Sequence, residues 1–324
     1  MRQMIEGTSS AEEHGVGLIA AWSASRLEYT PFRSGRLSGY LHKEFPGKDL
    51  CDVLAQLLLS PPGPAKALYR SSQNREVFVI KIVISGHEHE FFLKCIRFNR
   101  LRQLLFSVGL MPSAILRYVA VAKTLHAVGV TTPPVIAVAE EKSLVGTRRI
   151  FVVTEVSRNT VTLWECTGFA SGGCRARDSL AERREIGRRL AELVRLLHTN
   201  GIFHLDLTPG NILVGRTQSG AVSLMLVDLD SAIVSRRPSG LLVGILKFID
   251  LVKLNRQLYS ITDRKERCRF LATYSGKALS RRRFRRVWFF LISSPFLLTL
   301  DKAQRRLHLV HLLKRVLVCL RIVR

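Results

Sequence analysis

Residues 204–214 read HLDLTPGNILV, and the apolar run that follows ends in Asp228. Three oxygen-bearing side chains thus stand at fixed spacings: Asp206, then Asn211 on the same tight Pro-Gly loop, then Asp228 after the next apolar segment. A loop of that length brings Asp206 and Asn211 to one spot, and a hairpin returns Asp228 beside them. The set suits transfer of a phosphoryl group from ATP, in which a carboxylate orients the attacking hydroxyl and takes its proton while hard oxygen ligands hold Mg²⁺. Asp206 is the expected base, and Asn211 and Asp228 are the expected metal ligands. His204 is expected to brace the loop from beneath. A lone HxD, or an Asn after Pro-Gly, is ordinary turn chemistry. The joint pattern, HxDxxxxN behind an amphipathic helix and ahead of an apolar strand ending in Asp, is far more specific.

The elements that must carry these residues can be read along the chain. Residues 1–60 form an extension without an assigned role, in which CDVLAQLLL has the pattern of a short amphipathic helix. From Ala65, the runs AKALYR, EVFVIKIVIS and EFFLKCIRF, separated by SSQN and GHEH, predict an antiparallel meander. PSAILRYVAVAKTLHAVG predicts a helix with a glycine stop, and PPVIAVAE and RRIFVVTEV two further strands. After a composition break at ECTGFASGGCRARDS, SLAERREIGRRLAELVRLLHTNG predicts a strong helix with Ile186, Leu190, Leu193, Val194 and Leu197 on one stripe. NILV and AVSLMLVDLD flank the polar turn GRTQSG as a hairpin, and SGLLVGILKFIDLVKLNRQLYS onward is helical in pattern. The expected architecture is α+β and two-lobed: an antiparallel sheet with one main helix over 61–158, a mostly helical lobe over 159–280, and a basic amphipathic tail over 281–324. That layout is the protein-kinase-like one.

Composition bounds the rest. The apolar fraction of 47% is that of a globular chain. Six cysteines without CxxC or Cys/His ligand spacing predict reduced thiols and no zinc. The opening MRQMIEGTSSAEEHG lacks the basic start and apolar core of a signal peptide. VWFFLISSPFLLTL, the longest apolar run, is short of the roughly 20 residues of a membrane-spanning helix. A cytoplasmic protein with peripheral membrane contact is therefore expected. The net charge is +25, and from Ser231 onward 22 Lys and Arg face 4 Asp and Glu, a net of +18. In the tail, Leu309, Leu312, Leu313, Val316, Leu320 and Val323 share a helical face, with His308, His311, Lys314, Arg315 and Arg321 mostly opposite. A basic amphipathic helix suits an anionic membrane surface. Nucleic acid is not expected, because no recognition motif accompanies the charge.

A lysine to hold the ATP phosphates is expected mid-strand in the first lobe. Lys94 in FFLKCIR fits, embedded in an apolar strand ahead of the helix, with Lys81 in VFVIKIVIS as its rival. HLDL has Leu where protein kinases usually carry Arg, VDLDSA has Asp where their DFG motif has Gly, and YRSSQNRE, expected over the nucleotide, contains no glycine. With FFLKCIR, GVTTPPVIAVAE, LVDLDSA and LNRQLYSITDRKERCRFLATY, the chain resembles the lipopolysaccharide kinase family over about Ala65 to Tyr274. That resemblance implies ATP, Mg²⁺ and, as acceptor, a heptose or Kdo hydroxyl of the lipopolysaccharide inner core, at the cytoplasmic face of a Gram-negative inner membrane. It carries the functional roles onto Lys94, Asp206, Asn211 and Asp228, and makes the strand end FVVTEV, around Thr154, Glu155 and Val156, the hinge that meets adenine through backbone groups. One departure stands out. The helix should supply a Glu to pair with Lys94, near Tyr118, yet no acidic residue lies between Lys94 and Glu140. Glu88 and Glu90, ahead of the lysine, are the nearest substitutes. Two other readings share the loop: a soluble small-molecule or protein kinase with no need of the tail, and a catalytically weak pseudokinase that binds membrane or partners.

Overall fold

A computed structural model describes residues 29–43, 55–60, 66–72, 74–84, 87–99, 103, 114–144, 146–166, 180–235, 240–258 and 262–276. The basic tail expected over 281–324 lies outside them. They fall into two compact units, one drawn from Met1–Ala120 and Pro134–Val156, the other from Val121–Pro133 and Ser157–Arg324.

The first unit is built on a seven-stranded antiparallel sheet. Its strands are β1 (Tyr29–Ser34), β2 (Leu37–His42), β3 (Lys66–Ser72), β4 (Arg75–Ile84), β5 (His87–Arg97), β6 (Val135–Ser143) and β7 (Gly146–Glu155). They are ordered β1-β2-β6-β7-β5-β4-β3. The meander β3-β4-β5 and the pair β6-β7 are the strands that apolar runs and turn residues predict. Between them α1 (Ala114–Ala127) carries the chain from β5 to β6, which end on either side of β7.

Strands β1 and β2 extend the sheet into the stretch to which the sequence assigns no strand. Ser34 pairs with Leu37 across the two-residue turn Gly35-Arg36, and Gly35 takes a left-handed φ of 56°, as the first position of a tight hairpin turn requires. At Gly39 an added Cβ would stand 2.1 Å from the carbonyl oxygen of Val138, so only glycine lets β2 approach β6 this closely. Leu37 and Leu41 reach the same core as Phe78, Ile80, Phe91, Leu93, Cys95, Phe151 and Val153. Ala55 and Leu58, on a helical turn over residues 55–59, close that core from outside the sheet. Lys66 finishes the turn, donating from Nζ to the carbonyls of Leu58 and Ser60.

In the second unit, α2 (Leu163–Cys166) precedes α3 (Leu180–Thr199), whose buried residues include Ile186, Leu190, Val194 and Leu197. Leu193 is only partly covered, so the expected stripe is narrower by one residue and is completed by Ala191 and His198. Two small sheets follow. β10 (Ile212–Arg216) pairs with β11 (Val222–Leu226) as the predicted hairpin and with β8 (Val161–Thr162), while β9 (Ile202–Phe203) pairs with β12 (Ile233–Val234). Then come α4 (Leu241–Leu258) and α5 (Arg264–Ser275), the latter opened by a reciprocal capping box between Asp263 and Glu266. Phe203, Leu205, Ile233, Val243 and Leu246 form one core cluster of this unit, directly under the HLDL loop.

Candidate active site

Two strand pairings fix the polar loop at its ends. Phe203 pairs with Ile233 just before it, and Ile212 pairs with Leu226 just after it. Residues 204–211 and 227–232 are therefore two connections running between the same pair of ladders. Two bonds join them along the way: Val227 N–H donates to the carbonyl of Asn211 at 3.1 Å, and His204 Nε2–H donates to the carbonyl of Val227 at 3.0 Å. Asp206 and Asn211 ride on one connection, and Asp228 follows Val227 on the other. His204 is buried, in keeping with a bracing role.

Along the loop, Leu205, Leu207 and Pro209 are buried while Asp206 and Asn211 remain partly exposed. Alternation of this kind anchors the backbone in the core and turns the polar side chains outward. Asn211 Nδ2 donates to the carbonyl of Asp206 at 2.9 Å and lies 3.4 Å from its Oδ2. The Asp206 Oδ1 accepts from Lys253 Nζ at 2.9 Å. Two non-glycine residues of the site, Leu205 and Asp228, hold left-handed φ values of 57° and 61°. Each costs on the order of 1–2 kcal/mol relative to an ordinary conformation, so the surroundings must impose it.

What imposes it at Leu205 is Asp250. This side chain is 0% exposed; its Oδ2 accepts from His204 N–H at 2.9 Å and its Oδ1 from Leu205 N–H at 2.7 Å. His198 Nε2 lies 3.3 Å from the same Oδ2, and His198 Nδ1 is 2.7 Å from the hydroxyl of Tyr274. One carboxylate thus ties α4, α3 and α5 to the loop one residue ahead of Asp206. Burial, and then the Asp250 charge, push the Tyr274 phenol well above its ordinary value of 10.0. Neither Asp250 nor Lys253 is singled out by loop motifs. The available signal was an Asp on a helix's apolar stripe: Leu246, Asp250 and Leu254 follow at four-residue spacing and all are buried. Lys253, three residues after Asp250, lies on the neighbouring row of that helix.

The donors suit Mg²⁺. The Asn211 amide nitrogen faces Asp206, which leaves its carbonyl oxygen at the opposite end of the group, and Asp228, which would be the second oxygen donor, follows Val227 on the adjoining connection. Among the described residues no group of three or more His, Cys, Asp or Glu side chains offers a site for a metal ion. Two oxygen ligands are too few to hold Mg²⁺ alone. Were both to bind an ion, its remaining positions would be left to water and substrate phosphates.

In the first unit, Lys94 pairs with Val77 and Val152 and is half-buried on the face opposite Phe91, Leu93 and Cys95. Lys81 is an exposed strand lysine. It bonds Glu88 at 2.8 Å and Glu90, its direct cross-strand neighbour, at 3.4 Å. Both carboxylates that the sequence offers as substitutes for the helix Glu therefore form exposed ion pairs with Lys81. Helix α1 reads AILRYVAVAKTLHA, without an acid, and Tyr118 is buried where one was expected. At the strand end expected to be the hinge, Thr154 is partly buried and Glu155 exposed; Glu155 N–H donates to the carbonyl of Pro134 at 3.1 Å, so that donor is engaged in the unit's own backbone. Val156 is the last residue of the first unit.

The lipopolysaccharide kinase (Kdo/WaaP) family profile matches residues 69–274, a segment spanning Lys94, the HLDL loop, Asp228 and Tyr274. The chain belongs to that family. It is accordingly a phosphotransferase that acts on a sugar hydroxyl, a kinase of lipopolysaccharide biosynthesis. A comparison with curated protein sequences finds no match. Among solved structures it is similar to one described as WaaP in complex with acyl carrier protein, with a TM-score of 0.52 and 20% identity over 84% of this chain and 95% of that one. At that identity the likeness speaks for the fold, which is protein-kinase-like.

Tyr274 yields a pH prediction. Its raised folded-state pKa contributes nothing to the pH dependence while both states keep the proton. Stability is lost as pH rises past about 10, where the unfolded chain deprotonates first, at up to about 1.4 kcal/mol per pH unit. Tyr274→Phe should cost about 1 kcal/mol near neutrality, from the bond to His198, and fall less steeply than the parent above pH 10. Urea unfolding from pH 8 to 11 checks it; parallel curves would contradict the placement of this phenol.

Proposed function

We propose that the chain transfers the γ-phosphate of ATP, bound with Mg²⁺, to a heptose or Kdo hydroxyl of the lipopolysaccharide inner core at the cytoplasmic face of the inner membrane. The observation that carries this reading is the loop geometry: Asp206 held from beneath by the Asp250-anchored backbone, with Asn211 against it and Asp228 on the adjoining connection. Asp206 orients the acceptor hydroxyl and receives its proton. Asn211 and Asp228 would hold Mg²⁺, which, when bound, offsets the negative charge of the phosphates. Lys94 neutralises the non-reacting phosphates, and the backbone around Thr154, Glu155 and Val156 meets the adenine.

Membrane placement rests on charge. The arginines Arg183, Arg188 and Arg189 on α3 are paired with Glu266, Glu185 and Glu192, so they add little net positive surface. From Lys277 to the end, 13 Lys and Arg face one Asp. Each basic residue near an anionic surface contributes about 1 kcal/mol of attraction, and a lipid-held acceptor requires its enzyme at that surface. On this reading 281–324 is the membrane-facing element, 61–158 and 159–280 are the catalytic lobes, and 1–60 includes the strands β1 and β2.

Purified protein with ATP, Mg²⁺ and delipidated core sugar should release ADP only when the sugar is present, and mass measurement should find one added phosphate on a heptose or Kdo. Asp206→Asn should lower this turnover by about 10²–10⁴-fold with an unchanged circular dichroism spectrum; turnover close to the parent's would remove Asp206 from its role. Truncation after Tyr274 should abolish salt-sensitive co-sedimentation with phosphatidylglycerol vesicles while ADP release on soluble sugar persists. Equal sedimentation of the two proteins would refute the tail's part.

A further inference from the structure

The catalytic loop HLDLTPGN contains no lysine or arginine, and neither does the segment from Val227 to Ser231. The cation next to the expected base comes from elsewhere: Lys253, on α4, sets its ammonium 2.9 Å from Asp206 Oδ1. Both side chains are partly open to solvent, at 26% and 36% exposure, so a ligand can reach the pair. Among the described residues, Asp206 is the one hydrogen-bond acceptor of that ammonium, which leaves two of its three N–H donors without a protein partner. The same helix anchors the loop backbone through Asp250 one turn earlier, so the ammonium and the carboxylate are positioned by one rigid element.

We propose that Lys253 is a further catalytic residue, holding Asp206 in the resting enzyme and hydrogen-bonding the transferring phosphoryl group during reaction. The proposal rests on Asp206 as the base. With Oδ1 occupied by Lys253, the acceptor hydroxyl meets Oδ2, the oxygen that Asn211 approaches at 3.4 Å. The acceptor oxygen then bonds to the γ-phosphorus, the bond from that phosphorus to the bridging oxygen breaks with its electron pair leaving on ADP, and the hydroxyl proton passes to Oδ2. Lys253 keeps its protons throughout. Charge on the equatorial phosphoryl oxygens develops within reach of an ammonium fixed one carboxylate away from the attacking atom, and a donor placed in advance is worth most there.

Lys253→Met and Lys253→Arg in the full-length protein test this. The Met variant should lower kcat for sugar phosphorylation about 10²-fold, keep KM for ATP within about twofold, and melt within a few degrees of the parent; the Arg variant should recover at least about a tenth of the parent kcat. A second measurement needs no acceptor: Mg·ADP binding with and without aluminium fluoride, which mimics the phosphoryl group in flight. Lys253→Met should weaken the fluoride-bound complex by more than about tenfold and leave ADP alone unchanged. A parent-like kcat, or equal losses for both complexes, would overturn the proposal. If Asp206→Asn still phosphorylates sugar, the base assignment fails, whereas the fluoride complex still reports on Lys253.

Discussion

A single buried carboxylate sets the geometry on which the site depends. Removing a charge from water costs several kcal/mol unless it is fully hydrogen-bonded, and Asp250, with no exposure, recovers that cost through two backbone amides and a histidine. Because the donors are the amides of His204 and Leu205, the bonds hold the main chain itself. They dictate the left-handed turn at Leu205, and the next residue is Asp206. Neither a longer apolar side chain nor a neutral amide could satisfy both N–H groups in the same way. The Leu that stands in HLDL where protein kinases usually carry Arg becomes intelligible here: Leu205 is a core residue, packed with Phe203, Ile233, Val243 and Leu246.

The anchored loop carries Asp206 and Asn211 on one connection, and the backbone leading to Asp228 runs beside it. Two short ladders clamp the ends of both connections, His204 ties one connection to the other, and α4 supports them from beneath. The first unit arrives at its lysine by different physics. In a strand with one face packed on the core, alternate side chains emerge on the other face, and Lys94 emerges there beside Val77 and Val152. A helix Glu is absent, and Glu88 and Glu90 serve Lys81. Helix α1 of this chain offers no acid of the kind that protein kinases carry there.

Much of this was legible in the sequence, for identifiable reasons. The meander, α1, α3 and the β10-β11 hairpin are set by local periodicity and turn residues, which a single sequence displays directly. The loop stood out in the sequence because HxD, Asn and the strand-end Asp, each ordinary turn chemistry alone, occur together at fixed spacings. Strands β1 and β2 were not, since TPFRSGRLSGYL carries arginine, serine and glycine where a strand signal wants apolar alternation, and its pairing partner lies near residue 139. The two-residue strands β9 and β12 exist only by virtue of each other. Asp250 and Lys253 sit more than 40 residues beyond the loop they serve, and in isolation FIDLVK reads as one turn of an amphipathic helix.

Amide hydrogen exchange at His204 and Leu205 tests the anchor most directly. If Asp250 holds both groups, they exchange in the parent as slowly as the buried amides of α3, and Asp250→Asn accelerates them at least about tenfold while α3 stays protected. Exchange at the rate of an open surface loop in the parent protein would contradict the account.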